Sequence, residues 1–248
     1  MWSVWSNPTQ IYFGAGLVML KRPRQPDVVL EHPVTWSWDK TLNELARMAE
    51  LKPGTRWLPK RPLTVHLGAV WSPALHLSVP PALTRFADRQ AFLAQAVATA
   101  LQSKADDLTI AQSDAHDGLV ASMPLSLKTL LCTWASGHGL RVGAIAPLWS
   151  AVTRSKCVRQ PQVKALVLEE PGCTTFLHPN GKHISAHTWV DGVNLDQTDV
   201  HRQIRRYMVS DGLTEGEVAR WGFAKDGTSA AQGLPSVWPG HWSDCADR

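Results

Sequence analysis

Leu63-Thr-Val-His-Leu-Gly-Ala-Val-Trp-Ser-Pro-Ala-Leu-His-Leu-Ser-Val79 decides how this chain is read. Leu63 to Gly68 is an apolar run of strand length. Trp71-Ser72-Pro73 supplies a tight turn, Ala74 to Val79 a second strand, and Pro80-Pro81 stops it, because proline cannot donate to a ladder. A second opening of this kind lies a hundred residues on. Val163 to Leu168 is a strand, and it leads to a hairpin around Asn180-Gly181, a dipeptide suited to the positive φ angles of a two-residue turn.

Helices and strands alternate between and after these hairpins. Asp88 is placed to cap a helix whose Phe92, Leu93, Ala96, Val97, Ala100 and Leu101 form one apolar stripe. A strand from Gly118 to Met123 precedes a helix capped by Ser126 and stopped at Gly137, and a strand from Leu140 to Ile145 follows. The second half adds a helix over 198–209 and a strand over 217–223. Upstream, Gln10 to Leu20 reads as one strand broken by two glycines. Val28 to Leu30 is a second strand, and a helix capped by Asp39 ends before Pro53-Gly54. The expected organisation is an N-terminal strand–strand–helix annex (1–61), a first lobe (62–158), a partial second lobe (159–223) and a loose Gly-, Ser- and Pro-rich tail (224–248). Hairpins and crossovers occur together, so the class is α/β with mixed sheets flanked by helices.

Composition narrows function more than it names it. An apolar fraction of 44% and a charged fraction of 19% are those of a globular chain with a real core. A net charge of +4 spread over 248 residues gives nucleic acid no concentrated basic surface, and none is expected as a partner. No run approaches the ~20 apolar residues of a spanning helix, and Met1-Trp2-Ser3-Val4-Trp5 is no signal peptide, so a cytoplasmic protein is expected. Cys132, Cys157, Cys173 and Cys245 show no paired spacing and are read as buried reduced thiols. The twelve tryptophans are the compositional oddity, and large amphipathic rings serve cores and interfaces alike.

On particular residues the chain resembles the actin-like, ribonuclease-H-type fold of two lobes, here with a truncated second lobe. Leu63 to Val79 is similar to the first phosphate hairpin of that family, which places Asp-x-Gly there. Ala165-Leu-Val-Leu-Glu-Glu-Pro-Gly-Cys-Thr-Thr-Phe176, with Asn180-Gly181-Lys182, is similar to its second. The stretch from Leu119 to Ala146, with Met123-Pro124 and Gly139-Leu140, looks like the intervening segment of PilM- and GspL-type scaffold proteins of pilus assembly and type II secretion. In this alignment the first aspartate falls on His66, with Gly68 kept. The second acid falls on Glu169 and its glycine on Pro171, which has no N–H and a fixed φ. The resemblance therefore implies a pseudo-ATPase without cofactor. It would be a scaffold in a membrane-associated assembly, at most peripheral at the inner membrane, binding other protein subunits. The alternatives are a nucleotide-dependent enzyme of the superfamily and an unrelated, mildly basic nucleic-acid binder.

Two further groups of residues merit attention. With Asn180-Gly181 as the central pair, His178 would face His183 across the hairpin, a weak candidate metal site with no carboxylate to complete it. Trp2 and Trp5, with Trp36 and Trp38 at alternate positions and so on one face if extended, are candidate partner anchors. Gly14-Ala15-Gly16 lacks the third glycine of a dinucleotide fingerprint and reads as a bulge or close backbone approach.

Overall fold

The computed structural model describes residues 9–54, 60–112, 118–153, 162–180, 183–190 and 197–223. The first strand of the sequence reading is two. β1 (Thr9–Phe13) and β2 (Leu17–Lys21) pair antiparallel about the three-residue loop Gly14-Ala15-Gly16. Gly16, at φ +72°, supplies the left-handed residue that closes such loops. β3 (Val28–Glu31) pairs antiparallel with β2, and helix α1 (Trp38–Met48) crosses to β4 (Arg61–Leu67), which lies parallel to β1. The segment expected to be a separate annex thus supplies three strands of the first lobe's own sheet. β1 pairs with β4, and β2 and β3 extend the same sheet outward.

After β4 the chain leaves the sheet. β5 (Ala74–His76), α2 (Phe86–Ala100), β6 (Leu108–Gln112) and β7 (Leu119–Pro124) form a small unit with strand order β5-β7-β6. Leu93 and Val97 of α2 pack there on Val120. α3 (Leu125–Gly137) then leads to β8 (Leu140–Pro147), parallel to β4, and the five-stranded sheet has the order β3-β2-β1-β4-β8. α1 and α3 cover one face with Leu42, Leu45, Leu127 and Leu131, and the Trp134 indole N–H donates to the Leu42 carbonyl at 3.0 Å.

The short helix α4 (Leu148–Thr153) precedes the second sheet. β9 (Ala165–Glu170), β10 (Cys173–Asn180) and β11 (His183–Val190) form a meander. α5 (Gln197–Ser210) then crosses to β12 (Val218–Gly222), parallel to β9. The order β11-β10-β9-β12 repeats β3-β2-β1-β4 strand for strand, with α5 in the place of α1. Among the described residues the second lobe has no counterpart of α3 and β8. The uncovered faces of the two sheets pack on each other through Tyr12, Leu17 and Met19 from one side and Leu166, Leu168, Leu177 and Trp221 from the other, with Leu148 and Trp149 of α4 between them.

Candidate functional site

The repeat places the first hairpins of the two lobes, β1–β2 and β9–β10, face to face. Their turns touch. A side chain added at Gly172, itself at φ +79°, would lie 3.3 Å from the Ala15 methyl. Tyr12 and Glu170 each stand at the end of the first strand of a lobe, two residues before a glycine, Gly14 and Gly172 respectively. That is the Asp-x-Gly spacing of the family's phosphate hairpins. The first hairpin of the lobe is therefore β1–β2 and not the Leu63 to Val79 segment. Tyr12 with Gly14, and Glu170 with Gly172, have that spacing at the crevice, whereas His66 lies on β4 and Glu169 on the other face of β9.

These residues fill the crevice they line. The Tyr12 hydroxyl donates to Glu170 Oε1 at 3.0 Å, and the Ala69 N–H, just after β4, donates to Glu170 Oε2 at 3.1 Å. Tyr12 is 2% exposed and Glu170 7%, and the Phe223 ring centroid lies 4.6 Å from that of Tyr12. A Cβ at Gly14 would come 2.2 Å from the Tyr12 hydroxyl oxygen, and one at Gly68 would come 3.0 Å from both that oxygen and Glu170 Oε1. The two glycines thus make room for the protein's own tyrosine. Burial pushes the Glu170 carboxyl up to about 7, against the pull of the Ala69 N–H and the Tyr12 hydroxyl. Burial, with the Glu170 charge beside it, raises the Tyr12 phenol as well. A magnesium nucleotide wants ionised carboxylates and open backbone amides. The donor set here, a phenol and a carboxyl already engaged, does not fit one.

The other sequence candidates are dispersed. His66 stands beside Tyr12 in the β1–β4 ladder. Glu169 points to the opposite face of β9, where Arg220 Nη1 lies 3.4 Å from it. Pro171 occupies the turn next to Gly172. In the hairpin ladder Asn180 pairs with His183 and His178 with Ser185, so His178 and His183 are not opposite one another. His178 is buried, its Nδ1 2.7 Å from Asp211 Oδ2 just beyond α5. Among the described residues no three His, Cys, Asp or Glu side chains converge as metal ligands. Trp2 and Trp5 lie outside the described residues. Trp36 and Trp38 do not share an extended face, because Ser37 between them caps α1 and Trp38 begins it. Trp38 meets Trp71 edge-on at 5.3 Å over the core, whereas Trp36 stacks on His32 with Lys40 Nζ 4.1 Å above its ring. Cys173 is buried in the lobe interface, and Cys132 is exposed on α3 rather than buried.

A groove of about 1310 Å³ opens beside the filled crevice. The loop Ala69–Ala74 forms one wall, β11 from Ala186 to Val190 another, and the start of α3 with the end of α2 the rest. Its second-lobe wall carries His187 and Trp189; the His187 ring stacks on Trp189 and on Tyr207 of α5, its centroid 4.1 Å from that of Tyr207. The Ala74 N–H donates to Thr188 Oγ1 at 3.2 Å across the lobes, and the Trp149 indole N–H donates to the Ser72 carbonyl at 2.9 Å. The sequence reading missed this groove, since its walls come from four separated segments. Among the described residues no helix is long and apolar enough to cross a membrane.

No protein-family model matches the sequence, and no curated protein matches it. Solved structures do. A Bacteroides thetaiotaomicron protein with an actin-like ATPase fold and unknown function is 8% identical, covering 90% of this chain and 83% of its own, at a TM-score of 0.58. The cytoplasmic domain of EpsL, an inner membrane component of the type II secretion system of Vibrio cholerae, is 10% identical over 96% of this chain and 93% of its own, at 0.56. The PilM–PilN type IV pilus biogenesis complex is 12% identical over 97% and 86%, at 0.55. The fold is actin-like, and it resembles PilM- and GspL-type proteins.

Proposed function

We propose that this chain is a non-catalytic adaptor of a bacterial type IV pilus or type II-like secretion apparatus, acting at the cytoplasmic face of the inner membrane and binding a segment of a partner subunit in the groove beside β11. The observation that carries the reading is the Tyr12–Glu170 hydrogen bond, which fills the crevice between the lobes' first hairpins with protein atoms. The groove beside that filled crevice is concave and lined by Trp71 and Trp189, which suits a partner segment. The likeness in fold to the EpsL cytoplasmic domain and to PilM in complex with PilN supports an assembly role.

The test uses synthetic peptides from the cytoplasmic segments of pilus or secretion proteins encoded beside this gene, titrated against the full chain by tryptophan fluorescence. The reading expects a micromolar dissociation constant for one of them. Leu125→Asp should weaken it at least tenfold, because Leu125 lines the groove and is 43% exposed, so the substitution adds charge without opening the core. No binding by any such peptide, or binding indifferent to Leu125→Asp, would count against it.

A further inference from the structure

We infer that Tyr12, Glu170 and the Ala69 N–H form a latch between the two lobes, and that the state of this latch sets the shape of the groove. Tyr12 belongs to the first lobe's sheet and Glu170 to the second's, 158 positions apart in the chain, while Ala69 begins the loop that is the groove's first wall. The opposite wall, β11, sits in the same sheet as Glu170. One carboxyl therefore holds the two walls in register from below, and the Ala74–Thr188 hydrogen bond ties them from the side. Release of Glu170 would remove the tie at the start of the loop and leave the one at Ala74. That this matters for a partner rests on the adaptor reading; the latch itself does not.

The latch responds to protons because its centre is a carboxyl out of water. The titratable groups on the elements around it are Tyr12 on β1, His66 beside Tyr12 on β4 and Cys173 at the start of β10; Glu169 and Arg220 lie on the far face of β9 and β12. Among the described residues no ion pair to Glu170 is formed, and burial outweighs the two hydrogen bonds that favour its charge. The closed state holds the Glu170 proton up to about pH 7, whereas an opened state, with the carboxyl in water, releases it in the ordinary carboxylate range. Closure is thus fully favoured at low pH and weakens as pH rises through about 7.

Hydrogen exchange of the full chain, followed on the segment 68–75 and corrected for intrinsic exchange, tests this without any partner. Protection of that segment should fall on the order of tenfold between pH 6 and pH 8. In Glu170→Gln, which is nearly isosteric and cannot ionise, protection should be independent of pH. In Tyr12→Phe, which keeps the ring and removes one donor that favours the charge, the step should move to higher pH. A wild-type protection without a step, or the same step persisting in Glu170→Gln, would overturn the latch. Loss of peptide binding with the step intact would sink only the adaptor reading.

Discussion

Tyr12 closes the crevice between the lobes, and one feature of the sequence hides it. Gln10 to Leu20 contains two apolar runs separated by Gly-Ala-Gly, which is the length and composition of a three-residue hairpin loop. Read as one interrupted strand, the segment offers no opening hairpin, and the phosphate motif then falls on the next one. The neighbouring choice between Glu169 and Glu170 was decided by strand parity. Alternate residues face opposite sides, so one carboxylate meets Arg220 at the surface and the other meets Tyr12 in the interface. The filled crevice makes a specific demand on Gly14. Gly14→Ala should destabilise the protein by about 1–3 kcal/mol, because its methyl would overlap the tyrosine ring. In a Tyr12→Ala background the same substitution should cost much less. Urea denaturation of the four proteins gives the coupling, and additive effects would mean that the tyrosine does not occupy that space.

Helices with an unbroken apolar stripe were legible from sequence, and short or half-buried elements were not. The stripe Leu127, Leu130, Leu131 and Trp134 marks α3 to within a residue or two; Leu130 is half-buried and the other three are buried. β6 has no fully buried residue, so no alternation marked it, and the six residues of α4 are too few for a helical period. The start of α1 shows the same limit at finer grain. Asp39 looked like the cap, but the Lys40 N–H is accepted by Ser37 Oγ at 3.3 Å, which puts Trp38 inside the first turn. This changes what the paired tryptophans should do. Trp38→Ala should cost about 2–4 kcal/mol, through the contact with Trp71 and the core. Trp36→Ala should cost no more than about 1 kcal/mol, since its ring is not in the core and meets His32 and Lys40. Thermal melts of the two single variants decide it, and equal losses would contradict the placement of Trp38.

At the scale of the molecule, the duplicated order β3-β2-β1-β4 and β11-β10-β9-β12 explains why two hairpins meet at one crevice, with the groove beside it. The two-lobed actin-like architecture was legible because hairpin, helix and strand recur in the same order in both halves. The repeat also explains what sequence could not offer. Tyr12, Ala69 and Glu170 are brought together only by the packing of one sheet face on another. The central claim is that this packing closes the nucleotide site with the protein's own side chains. The most direct measurement is calorimetric titration of the full chain with Mg²⁺–ATP. The closed crevice predicts no binding heat at millimolar nucleotide, and a dissociation constant in the micromolar range would contradict it.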